Sequence, residues 1–95
     1  MLRYTFDAEL LEISECHNGQ DMEFRMKLKR PDTKVELAVK QIRAYFDHND
    51  RYTDVLFYAH PEYEYQWIIS EEFYPDFMLR LFRHQLLKEL RWAEM

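Results

Sequence analysis

The stretch VLFYAHPEYEYQW, Val55–Trp67, is the densest aromatic run of this 95-residue chain, and it predicts the fold of the second half. β-Branched and aromatic residues flank His60-Pro61-Glu62-Tyr63, in which proline occupies the second position of a tight turn. The stretch therefore predicts a β-hairpin with strands at residues 54–59 and 63–69.

This hairpin has apolar side chains on both of its faces. A four-residue turn sets Leu56 opposite Trp67 and Tyr58 opposite Tyr65 on one face. The core of the domain can cover one of these faces. The other face must be covered by a further layer of this chain or by another molecule. We therefore predict that Leu56, Tyr58, Tyr65 and Trp67 bind a protein partner, because aromatic residues are enriched at such interfaces. The alternative is that the amino-terminal segment or the last helix covers this face as ordinary core.

The first half of the chain predicts a second hairpin around Asn18-Gly19, a strong signal for a two-residue turn. Residues 2–15 read as extended, with a β-bulge or break near Leu10 where the apolar alternation changes parity. Residues 22–28 alternate strictly between apolar and charged, which is typical of a half-buried strand. Folding about the turn pairs His17 with Gln20.

Two helices complete the prediction. Thr33 and Glu36 form a capping box before an apolar stripe at helical spacing, which consists of Val35, Val39, Ile42 and Phe46. Asp47 to Asp50 end this helix. A second helix is predicted from Asp76 to about Trp92, after Pro75. The order ββαββα predicts a single domain, residues 1–95, of α+β class: a four-stranded, mainly antiparallel sheet with two helices packed on one face.

The charge of the chain lies in blocks. The net charge is −5, which argues against nucleic acid as a partner, but residues 25–43 carry +5. The last helix adds a possible basic patch, formed by Arg80, Arg83, Lys88 and Arg91. We expect the blocks to neutralise each other within the fold. The alternative is a nucleic-acid-associated regulator that uses the basic block and the C-terminal helix.

The chain offers no constellation of residues that carries chemistry. Its four histidines have no ligand spacing, and Cys16 has no base nearby, so we expect no metal, no cofactor and no catalytic residue. A single glycine leaves no phosphate-binding loop. A small ligand-binding or enzymatic domain, with a polar site between sheet and helices, is the third reading.

The leading prediction is therefore a small non-catalytic protein-binding module, such as an adaptor, an inhibitor or an immunity-like protein. We predict that it forms a homodimer through the aromatic face, because a patch of this kind is too apolar to leave in water. One cysteine and the absence of a long apolar run predict a cytoplasmic protein without a membrane segment.

Overall fold

The computed structural model of the chain describes residues 2–48 and 55–93. In these residues the elements follow in the order β1 (Leu2–Thr5), β2 (Leu11–Asn18), β3 (Asp21–Leu28), α1 (Thr33–Asp47), β4 (Leu56–His60), β5 (Glu64–Ser70), a 3-10 turn (Glu71–Phe73), α2 (Tyr74–Arg83) and β6 (Glu89–Trp92). The predicted α+β class with a four-stranded antiparallel sheet is confirmed. The predicted start of the third strand at Asp54 lies outside the described residues.

The four-stranded sheet has the order β2-β3-β5-β4, and all its neighbouring strands are antiparallel. Alternate residues of β3 are buried, as the sequence predicts for residues 22–28. A second sheet, which was not predicted, is the two-stranded ribbon of β1 and β6. The predicted break near Leu10 is confirmed as a turn between these sheets, where the amides of Leu10 and Leu11 donate to the carbonyl of Asp7.

The first hairpin turns one residue later than predicted. Asn18 pairs with Asp21, so Gly19 and Gln20 form the loop, and Gly19 has a φ of +65°. A positive φ at the first central residue is the pattern of a type II′ turn, and glycine adopts it without steric cost. His17 consequently pairs with Met22 rather than Gln20. Each residue of β2 therefore pairs with a residue two positions further along β3 than predicted. A shift of two leaves every side chain on its predicted face.

Helix α1 packs the predicted stripe against the sheet, and Val35, Val39, Ile42 and Phe46 are all buried. Its cap differs from the prediction by one residue. Oδ1 of Asp32 accepts the amide of Val35 at 3.0 Å, which makes Asp32 the N-cap, while Thr33 begins the helix. Aspartate caps as well as threonine because its side-chain oxygen reaches the same free amides.

The predicted helix over residues 76–92 is wrong in its second half, because α2 ends at Arg83. Gln85 adopts a φ of +63°, the amide of Leu86 donates to the carbonyl of Leu81, and the amide of Gln85 donates to that of Phe82. These two bonds are a Schellman motif, the usual stop of an α-helix. The chain then reverses, and β6 pairs with β1.

The core lies between the two helices and one face of the four-stranded sheet. The ring of Phe77 on α2 lies 4.7 Å from that of Phe24, 5.4 Å from that of Trp67 and 6.0 Å from that of Phe46, measured between centroids. One aromatic side chain of α2 thus contacts β3, β5 and α1. Neither of the two helices in the described part of the chain packs on the other face of the sheet.

Candidate functional site

The loop of the second hairpin decides which side chains reach the surface. His60 pairs with Glu64, so Pro61, Glu62 and Tyr63 form a three-residue loop instead of the two-residue loop predicted. Glu62 and Tyr63 have φ values of 65° and 61°, in the left-handed region. A loop of three residues changes the strand register by one, and a shift of one moves a side chain to the opposite face.

The predicted aromatic face is therefore wrong as a set. Leu56 lies opposite Ile68 and Tyr58 opposite Gln66, whereas Trp67 lies opposite Phe57 on the core side. Trp67 is fully buried, at 0% exposure, and Tyr65 packs on the same side against the core. Of the four predicted residues, only Leu56 and Tyr58 lie on the face that no helix covers.

We call this face the uncovered face; on β4 and β5 it consists of Leu56, Tyr58, His60, Glu64, Gln66, Ile68 and Ser70. Leu56 is 48% exposed and Tyr58 is 46% exposed, although both lie in a regular strand. Ile68, directly opposite Leu56, is half-buried and extends the apolar patch. Ile68 is not among the predicted residues, because a two-residue loop would set Trp67 rather than Ile68 opposite Leu56.

A chain of hydrogen bonds holds the polar part of the uncovered face. Nε2 of His60 lies 2.7 Å from Oε1 of Gln66, and Nε2 of Gln66 donates to Oε1 of Glu23. An ionised carboxylate accepts hydrogen bonds and donates none. The amide nitrogen of Gln66 therefore faces Glu23, and its amide oxygen faces His60. Nε2 of His60 must then carry a proton. Hydrogen bonds at both ends of its side chain therefore hold Gln66 beside Tyr58.

Strand β4 is also an edge of the sheet, with no described strand on its outer side. The core-facing side of β4 contacts α1, where the guanidinium carbon of Arg43 lies 4.9 Å from the centroid of the Phe57 ring. Within the described residues, no strand pairs with the outward-facing amides and carbonyls of β4. The uncovered face and this free edge meet at Leu56 and Tyr58.

The residues of the predicted basic patch do not share one helix, although Arg83 lines one pocket with Arg80 and another with Lys88. Arg80 and Arg83 lie on α2, Lys88 follows that helix, and Arg91 lies on β6. The guanidinium carbon of Arg80 is only 3.5 Å from the centroid of the Tyr45 ring, so this arginine covers an aromatic side chain.

The basic block of residues 25–43 is divided as well. Arg25 and Lys27 lie on the sheet, whereas Lys34, Lys40 and Arg43 lie on α1. Three of its residues pair with acids: Arg25 with Glu64 at 3.5 Å, Lys29 with Glu12 at 3.6 Å, and Arg43 with Asp47 at 3.5 Å. The pairs follow the expectation that opposite blocks neutralise each other.

A second polar cluster lies where the ribbon meets the sheet. The hydroxyls of Tyr4 and Tyr74 donate to the two carboxylate oxygens of Glu15, at 2.9 and 3.4 Å. Burial, followed by the hydrogen bond to Glu15, raises the pKa of Tyr4 well above its usual range. Burial and the charge of Glu15 raise the pKa of Tyr74 to about 12. This cluster ties β1 and α2 to strand β2.

These pKa shifts predict a loss of stability in alkali. Because both pKa values are higher in the fold than the value of about 10 in an unfolded chain, the fold favours the neutral phenols. Their contribution is complete below pH 10 and is lost as the pH rises through the folded pKa values. We expect the urea midpoint to fall between pH 10 and pH 12, and to fall less in the double variant Tyr4→Phe and Tyr74→Phe. An equal fall in both proteins would contradict the assignment.

The described residues hold no group of three or more histidine, cysteine, aspartate or glutamate side chains that could bind a metal ion. Neither helix in residues 2–48 and 55–93 is long and apolar enough to cross a membrane. Comparison of the chain with family models, with curated proteins and with solved structures finds no match. A function for this chain has to be inferred from its own geometry.

Proposed function

We propose that this protein is a small non-catalytic protein-binding module that self-associates through strand β4 and the uncovered face beside it. The observation that carries the proposal is the free edge of β4, which exposes Leu56 and Tyr58. Proteins ordinarily protect such an edge with lysine, another charge or proline within the strand. The five residues of β4, LFYAH, contain none of these.

A second copy of the chain fits this edge by symmetry. A two-fold axis through Tyr58 pairs all five residues of β4 with the same strand of another copy. Tyr58 then lies beside its counterpart, and Leu56 lies opposite His60 of the second copy. The two sheets join into one, and the two apolar patches become continuous on the uncovered face.

The other edge of the sheet is less suited to self-pairing. Strand β2 carries Glu12 and Glu15, and like charges brought together across a strand pair are destabilising. Glu15 is also engaged by Tyr4 and Tyr74. These differences favour β4 over β2 as the edge at which two copies meet.

The test is the solution mass by light scattering over a range of protein concentrations. We expect the mass to rise from that of one 11.9 kDa chain towards twice that value, with a dissociation constant in the micromolar range, because the interface is small. Tyr58→Glu places two like charges at the two-fold axis and should weaken the dimer by about 30-fold or more, as for an interface hot spot.

The matched control is Ser14→Glu, which adds the same charge on the same face but on the far strand, β2. This variant should associate like the wild type. A wild type that stays monomeric at every concentration, or a Tyr58→Glu variant that associates as well as Ser14→Glu, would contradict the proposal.

A further inference from the structure

Two arginines face each other across the β1–β6 ribbon. The antiparallel register places Arg3 directly opposite Arg91, and Thr5 opposite Glu89 on the same face. Side chains directly opposite in such a pair have Cβ atoms about 5 Å apart, so two like charges there repel. The two residues are 88 positions apart in the chain, and only the pairing of its ends brings them together.

The charge of this pair is not balanced within the described part of the chain. Neither Arg3 nor Arg91 makes an ion pair or a hydrogen bond there, and both side chains are exposed. On the same face of the ribbon, the nearest acidic residue is Glu89, two residues before Arg91 on β6. It forms no ion pair with either arginine. Among residues 2–48 and 55–93, the two guanidinium groups of the ribbon therefore have no acidic partner to offset their mutual repulsion.

A shallow cleft of about 470 Å³ lies at this place, lined by Arg3, Arg91, Trp92 and Ala93. Trp92 is paired with Leu2, so its side chain points to the other face of the ribbon, and the two cations are the charged groups of this cleft. A guanidinium offers a planar fork of donors that matches the oxygens of phosphate or carboxylate. One carboxylate occupies a single fork, whereas a phosphate has three terminal oxygens and can accept from both.

We propose that the ribbon of β1 and β6 binds a phosphate group between Arg3 and Arg91. The negative charge of the bound phosphate offsets the positive charges of the two arginines. This site lies on the two-stranded ribbon and uses none of the residues of the uncovered face, so it is independent of the proposed self-association.

The experiment measures the thermal unfolding midpoint as inorganic phosphate is added at constant ionic strength. We expect a saturable rise in the wild type, since a ligand that binds only the folded state stabilises it. Without phosphate, Arg91→Gln should raise the midpoint by about 1–5 °C because it removes the repulsion. The same substitution should weaken phosphate binding by about tenfold or more.

Two matched variants separate this site from a general effect of salt. Arg83→Gln removes an exposed arginine outside the ribbon and should keep the full response to phosphate. Glu89→Gln removes the neighbouring acid and should strengthen binding. No saturable rise in the wild type, an unchanged response in Arg91→Gln, or a lower midpoint of Arg91→Gln without phosphate would each overturn the proposal.

A parallel titration with a nucleoside monophosphate distinguishes free phosphate from a phosphate monoester that carries an aromatic base. Tighter binding than inorganic phosphate, lost in Arg91→Gln, would identify the ligand as a phosphate monoester. Equal binding of the two probes, lost in Arg91→Gln for both, would identify the phosphate group alone.

Discussion

Trp67→Ala should lower the free energy of unfolding by about 3–5 kcal/mol, the usual cost of removing a fully buried aromatic side chain. Trp67 is 0% exposed, and its ring lies 4.9 Å from that of Phe57 and 5.4 Å from that of Phe77, between centroids. The substitution leaves a cavity where β4, β5 and α2 meet. Urea unfolding followed by circular dichroism measures the loss.

Trp67→Phe provides the control for this prediction. Nε1 of Trp67 is buried and has no hydrogen-bond partner among the described residues, and an unpaired buried donor costs about 1–3 kcal/mol. Phenylalanine keeps an aromatic ring and removes that donor, so its cost should be well below that of alanine. Equal costs for the two variants, or a Trp67→Ala protein as stable as the wild type, would contradict a core position for Trp67.

Glu15→Ala should lower the free energy of unfolding by about 2–3 kcal/mol, because two phenol hydroxyls lose a charged acceptor. The donors are Tyr4 on β1 and Tyr74 at the start of α2, both at least half-buried. Without the carboxylate, both hydroxyls lose their hydrogen-bond acceptor, and the ribbon is held less firmly against the sheet. Urea unfolding at pH 7 measures the change.

Glu15→Gln keeps an acceptor oxygen and removes the charge, so it should cost less than Glu15→Ala. It should also lower the pKa of both phenols, because the charge of Glu15 contributes to raising them. An effect of Glu15→Ala within about 0.5 kcal/mol, which is normal for an exposed surface residue, would mean that the cluster does not hold the ribbon.

The parts of the fold that sequence reasoning predicted are those with a long periodic pattern. The alternation over residues 22–28 and the stripe from Val35 to Phe46 both appear as buried faces. Each pattern places four apolar residues on one face, so a single misread residue does not change the result. The same reasoning predicts the four-stranded sheet from two hairpins.

The errors arise where one residue decides the outcome. Nothing in His60-Pro61-Glu62-Tyr63 distinguishes a two-residue loop from a three-residue loop, because the longer loop needs positive φ at Glu62 and Tyr63, and neither is glycine. The same holds for Gln85, which ends α2 with a positive φ and no glycine to signal it. The amide of Leu28 donates to the carbonyl of Tyr63, and Leu86 and Leu87 are buried directly after Gln85. These contacts depend on the tertiary fold, so the local sequence does not indicate either conformation.

The candidate site was predictable in part for the same reason. Leu56 and Tyr58 share a face in any register, so they remain together, whereas Tyr65 and Trp67 follow the register of β5 and enter the core side. The position of Arg3 opposite Arg91 could not be predicted. The helical periodicity of the sequence continues past Arg83, where α2 ends, into the residues that form β6.

Disulfide cross-linking at position 58 tests most directly whether β4 pairs with β4 of a second copy. In a Cys16→Ser background, Tyr58→Cys puts the two Cα atoms about 4.5–5.5 Å apart, within disulfide reach. His60→Cys is the control, because its two copies would lie about 13 Å apart. The proposal predicts an oxidised dimer for Tyr58→Cys and a monomer for His60→Cys. A monomer for Tyr58→Cys, or equal cross-linking at both positions, would contradict it.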